Sequence, residues 1–183
     1  GWSNTVHGVD ASLIGVSQVD KEMNGLQYAG FVSLAFGKFH GYQTSGLVSY
    51  AAEDLTGLQA AGLVSRTRGT VHGGQIGIVN CAHKVSGFQL GFINISDTLN
   101  GIPLGIINIA GNGRVRAIAY ASNVAAGNAG VEFLVNGWHS SIAVGGGYLK
   151  EETYDDISLT TSFGYHFPLW KMGLLLEAAS VLM

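Results

Sequence analysis

One frame recurs through residues 25–113, Gly-x-Gln-x-(x)-Gly-apolar-Val/Ile-Ser/Asn, and it limits the possible folds more than any other property of the chain. Representative units read Gly25-LQYAGFVSLAFGKFH, Gly57-LQAAGLVSRTRGTVH and Gly87-FQLGFINISDTLN. Three units of sixteen residues precede units of fourteen, and Pro103 stands where the last unit should carry its glutamine. A fixed period means that one small structural element is made again and again, each copy packing on the last.

Composition narrows what that element can be. Only 11% of the 183 residues are charged and 47% are apolar, whereas a soluble domain carries about 25% charged residues. No run of about 20 apolar residues exists, so a transmembrane helix is excluded. A membrane β-barrel, a solenoid with a thick core, or an oligomer that buries its outside all remain. The 28 glycines and two prolines argue against helices, in which glycine costs about 1 kcal/mol relative to alanine. A lone Cys81 leaves no internal disulfide. A net charge of −3 without a basic stripe argues against a nucleic-acid partner. No signal-peptide pattern opens the chain, so Gly1 is expected to be a processed N-terminus.

Alternation within the units favours strands, because successive side chains of a strand face opposite sides. In the first unit Leu26, Tyr28, Gly30, Val32, Leu34 and Phe36 fall on one side, and Gln27, Ala29, Phe31, Ser33 and Ala35 on the other. Large apolar residues against glutamine and small residues is the pattern of a lipid face and a lumen face. The expectation is therefore an all-β, antiparallel transmembrane β-barrel of about 12 short strands. Residues 1–24 would supply the first strand and a loop, 25–113 the repeat strands, and 114–183 longer closing strands at about 114–123, 128–136, 138–149, 154–167 and 170–182. Asn-Gly pairs at Asn24-Gly25, Asn100-Gly101, Asn112-Gly113 and Asn136-Gly137 read as hairpin turns. Trp138, Tyr148, Tyr154, Tyr165 and Trp170 lie near strand ends, as an aromatic girdle would.

The fourteen-residue units point another way. Strict alternation in Gly87-FQLGFINI would turn Asn94 towards lipid, while Asn80, Asn94 and Asn108 recur every fourteen residues. A stacked asparagine ladder in a β-solenoid over 25–113, capped by antiparallel strands, is the alternative.

The frame, and above all Gly87-FQLGFINISDTLNGIPLGIINIAGNG, resembles the surface-repeat proteins of Gram-negative bacterial envelopes. The resemblance covers residues 25–113, and the strand-rich tail is similar as well. It implies an outer-membrane or cell-surface location and brings no catalytic positions with it.

Candidate chemistry is sparse. The glycine clusters precede no helix and no Gly-Lys-Ser/Thr, so a phosphate loop is not expected. His40 and His72 come out on one rim and His83 on the other, while His139 and His166 lie on the small-residue face with no ligand pair at metal spacing. Cys81 and His83 share a strand face but have no activating arrangement. Glu132 and Glu177 sit within apolar sequence and alternate to the small-residue side, where an ion needs a partner. Arg114, Arg116 and Lys171 are the nearest candidates, so these five residues form a candidate lumen charge cluster, read either as a charged constriction or as a structural salt-bridge network. The expected protein is non-enzymatic and cofactor-free: a structural or scaffold barrel of the envelope, a narrow passive pore, or a surface β-solenoid for adhesion or assembly. Its expected partners are membrane lipid, other envelope proteins or further copies of itself.

Overall fold

The structure, a computed structural model, describes residues 1–122, 125–146, 157–169 and 172–182. Every regular element among them is a β-strand. The chain divides into two compact units, Gly1–Gly105 with Ala110–Asn112, and Ile106–Ile109 with Gly113–Met183.

The first unit is a parallel β-solenoid in a fold of about seven turns. It comprises β1 (Trp2–Ser12), β2 (Val16–Ala29), β3 (Val32–Ala35), β4 (Lys38–Ser45), β5 (Val48–Ala51), β6 (Leu55–Ala61), β7 (Val64–Ile76), β8 (Val79–Leu90) and β9 (Ile93–Leu104). Each turn has two extended arms joined at two corners. β2 spans both arms, so β3 and β4 both pair with it, and β7 receives β5 on one arm and β6 on the other. Equivalent residues stack in register: Gly25 on Gly41, Gly57, Gly73, Gly87 and Gly101, and Val16 on Val32, Val48, Val64, Val79 and Ile93.

This overturns the barrel and, with it, the porin-like pore. The alternation was legible, but its polarity is the reverse of a barrel's. Gln27, Ala29, Ser33 and Ala35 are the packed interior, while Leu26, Tyr28 and Phe36 are exposed. Buried amides are tolerated because parallel stacking places identical side chains about 4.8 Å apart, within mutual hydrogen-bonding reach. Gln43 Nε2 donates to Gln27 Oε1 at 2.9 Å, Gln59 to Gln43 at 2.8 Å, Gln75 to Gln59 at 2.7 Å and Gln89 to Gln75 at 2.9 Å. Beside this ladder runs an apolar one of Met23, Phe39, Leu55, Val71, Val85 and Leu99, each at most 1% exposed.

Two expected hairpins prove to be something else. Asn24-Gly25 and Asn100-Gly101 lie inside β2 and β9. At Gly25, Gly41, Gly57, Gly73 and Gly87 the backbone takes φ between 127° and 146°, a region that residues with a Cβ rarely adopt. A Cβ on any of them would also overlap the carbonyl oxygen of the glycine one turn earlier. The repeated glycine thus bends the strand within the stack and lets the turns approach closely. Asn136-Gly137 does reverse the chain, with φ of 49° and 83°.

The change of period from sixteen to fourteen has a local cause. At one corner the inward position filled by Ala29, Ser45 and Ala61 is absent from later turns, as Ala60 pairs with Ile76 and Gly77 follows at once. At the other corner one residue is lost where the β7–β8 register shifts, between Thr67 and Thr70. Asn94 therefore faces inward, at 1% exposure, without any breach of alternation in the arm before it.

The second unit contains an open five-stranded antiparallel sheet in the order β11-β12-β13-β14-β15, formed by β11 (Arg114–Tyr120), β12 (Gly127–Val135), β13 (Trp138–Gly146), β14 (Ser158–Leu169) and β15 (Met172–Leu182). β10 (Ile107–Ala110) lies where the chain passes from one unit to the other. Within this unit Asn108 Nδ2 donates to Ser140 Oγ at 2.8 Å.

Candidate functional site

Two surfaces hold the residues singled out from sequence: one face of the five-stranded sheet and the outside of the solenoid. On the sheet, cross-strand register aligns Arg116, Glu132, Ser141, Ser162 and Ala179 in one row, and Leu134, His139, Gly164 and Glu177 in the next. Residues of both edge strands, Ile118 and Tyr120 of β11 and Ala179 and Val181 of β15, line a single concavity of about 520 Å³. The sheet therefore curls about its polar face without closing.

Small residues permit this arrangement. His139 on β13 reaches Glu177 on β15 across the intervening strand, with Nε2 3.3 Å from Oε1. The reach passes over Gly164, where a Cβ would stand 2.7 Å from His139 Cε1. Glu132 accepts from Arg116 through both Nε at 3.0 Å and Nη2 at 2.7 Å. Ser141 and Ser162 share a hydrogen bond of 2.7 Å at the floor. Both carboxylates thus have a basic partner, Glu132 in Arg116 and Glu177 in His139.

The other expected site residues are placed as follows. Arg114 is exposed and sits opposite Leu134; Lys171 lies outside the described residues. Trp138 and Tyr165 do meet, with ring centroids 4.7 Å apart, and Phe163 stacks on Trp138 at 5.3 Å. Tyr148, Tyr154 and Trp170 lie outside the described residues. Sequence reasoning missed His139 as the partner of Glu177. The usable signal was glycine at 164 between two chain-distant polar positions, legible only once strand pairing is known.

On the solenoid, His40 and His72 share one exposed row two turns apart, separated by Thr56. His83 lies at the neighbouring corner, 2.7 Å from Asp97 Oδ2. No group of three or more metal-ligating side chains occurs among the described residues. Cys81 is half-buried beside Arg66 in the stack. Burial pushes its thiol pKa up, and the Arg66 charge offsets part of that rise.

The solenoid's surface is strongly divided. One corner carries Phe31, Leu47, Leu63, Ile78 and Phe92, exposed by 50, 40, 46, 45 and 61%. Backbone bonds from Leu47 to Phe31, Leu63 to Leu47 and Ile93 to Ile78 mark these residues as successive turns of one ridge. The opposite corner collects the charges. Of the Asp, Glu, Lys and Arg residues before Gly113, all but Asp10 and Arg66 lie there or beside it, from Asp20, Lys21 and Lys38 to Lys84 and Asp97.

Compared with known proteins, the chain matches no family model, no curated protein and no solved structure.

Proposed function

We propose that the chain is a non-enzymatic β-solenoid module of the bacterial cell surface that works by adhesion or assembly. The observation that carries this reading is the reversed polarity of the repeat. Hydrogen-bonding side chains engage one another inside, and apolar side chains are presented outside in rows. An interior of amide ladders fixes the spacing of those rows, so the outside is a rigid, repeating surface. A contiguous apolar ridge flanked by uncharged rows is a surface suited to interaction.

The surface location rests on the resemblance of the Gly87–Gly113 stretch to envelope surface-repeat proteins. The paired carboxylates support a structural role for the curled sheet. The experiment is surface biotinylation of intact cells expressing the tagged chain, followed by mild crosslinking. Labelling together with discrete crosslinked species is expected. A chain that stays unlabelled and crosslinks to nothing would refute the reading.

A further inference from the structure

We infer that the apolar corner ridge is a lipid-contacting edge, and that its occupant is the acyl region of a membrane leaflet. This rests on the reading of the chain as a surface module and names what that surface meets.

Shape is the first argument. A solenoid corner is convex, and five turns at about 4.8 Å spacing give a ridge roughly 20 Å long and one side chain wide. At a width of roughly 10 Å it offers roughly 200 Å², against about 800 Å² per partner for a stable protein interface. Two such ridges touch only along a line. A fluid acyl layer instead yields around a convex edge and covers the rows on both flanks.

Those flanks suit that environment. The row beside the ridge on one arm is Val32, Val48, Val64, Val79 and Ile93. On the other arm it runs from Tyr28 through Thr44 and Ala60 to Ile76 and Leu90. Neither contains a charged residue. Charge placement is the second argument. Apart from Asp10 and Arg66 on the arms, the charged groups of the solenoid gather at the far corner, as at His83–Asp97, much as interfacial elements keep their ionic side in water while burying the other by about 5–10 Å. Backbone polar groups near the ridge are paired turn to turn, including Leu63 N to Leu47 O at 3.0 Å and Val79 N to Leu63 O at 2.9 Å. Few bare donors would therefore be carried into hydrocarbon.

The test is flotation of the purified full chain with phosphatidylethanolamine–phosphatidylglycerol vesicles in a density gradient. Co-flotation that persists in 0.5 M salt is expected, with Leu47→Asp/Leu63→Asp lowering the bound fraction at least tenfold and Lys84→Ser leaving it unchanged. Should the double aspartate variant fail to fold by circular dichroism, Leu63→Trp replaces it. The emission that this variant adds over the parent chain should shift to the blue with vesicles and be quenched by brominated acyl chains. Flotation indifferent to the ridge variant, or added indole emission that brominated chains leave unquenched, would overturn the inference. Sedimentation of the same samples separates the two readings. Self-association lost in the ridge variant without vesicle binding would overturn the lipid edge and leave assembly standing, while neither binding nor association would remove both.

Discussion

Gln59 shows how a single residue is committed to this fold. Its Nε2 donates to Gln43 Oε1 and Arg66 O, and its Oε1 accepts from Gln75 Nε2 and Thr67 Oγ1. Removing the amide leaves Gln43 Oε1 without its donor and takes one acceptor from Gln75 Nε2, which keeps Cys81 O, in a site of 0% exposure, and unsatisfied buried groups cost about 1–3 kcal/mol each. Gln59→Ala should therefore lower the unfolding free energy in urea by roughly 3–5 kcal/mol. Leu63→Ala, on the exposed ridge, should cost under about 1 kcal/mol. If the apolar substitution proves the costlier, the interior has been assigned to the wrong face. Cys81 offers a second check at this scale. Only the thiolate reacts readily, and burial raises the folded pKa, so the protonated thiol is favoured in the fold. That contribution to stability is present below the unfolded thiol's pKa and fades as pH rises through the folded one. Alkylation by iodoacetamide at pH 8 should be several-fold slower in buffer than in urea, and slower again in Arg66→Ala, which loses the opposing charge.

At the scale of one turn, the glycine stack and the shortened corner make separate predictions. Gly57 and Gly8 share nearly the same backbone, φ of 127° and 129°. A Cβ on Gly57 overlaps Gly41 O, whereas one on Gly8 meets nothing within 4 Å. Gly8→Ala should cost only the strain of a positive φ, about 1–2 kcal/mol. Gly57→Ala adds the collision and should prevent a stable stack, which thermal unfolding would read directly. The corner is subtler. In the longer turns Ser33, Ser49 and Ser65 donate to Thr44 O, Ala60 O and Ile76 O. After the corner loses a residue, Asn80 reaches the equivalent Leu90 O at 2.9 Å with its longer side chain. Serine becomes asparagine where the turn shortens because the acceptor stays put and the donor retreats. Deleting Ala61 should thus destabilise by about 3 kcal/mol, and adding Ser65→Asn should recover more than half of that in a double-mutant cycle. No recovery would refute the account.

That coupling also explains how much could be read from the chain alone. The period, the alternation and the fourteen-residue asparagine spacing were all visible, and the last named the ladder that Asn80 and Asn94 form at 2.9 Å. What alternation cannot say is which side is inside. A glutamine row is unfavourable in a packed core when taken singly and favourable when stacked, and stacking is a tertiary fact. The same reasoning hid the Gly25 bend, since Asn-Gly describes a reversal and a stacked kink equally well. Glu132 and Glu177 were placed on their common face by alternation, but their partners depend on strand order. For the first unit as a whole, each turn contacts mainly the turns on either side, so stability sums over neighbouring pairs. Duplicating Gly57–His72 in place should then add one complete turn, with a further rung of the glutamine ladder, a further apolar side chain at the Leu55 and Val71 position, and no new end. The midpoint of thermal unfolding should rise by several degrees, about 2–4 °C per kcal/mol in a chain of this size, and amide exchange should be slowest in the turns around the insert and fastest in β1. Because each glutamine bonds only its neighbours, a copy carrying Gln→Leu at its ladder position should interrupt the amide chain and forfeit most of that gain. An insertion that lowers the midpoint with the glutamine intact would mean that the turns are not interchangeable, and that the two ends, rather than the stacked interior, hold the solenoid together.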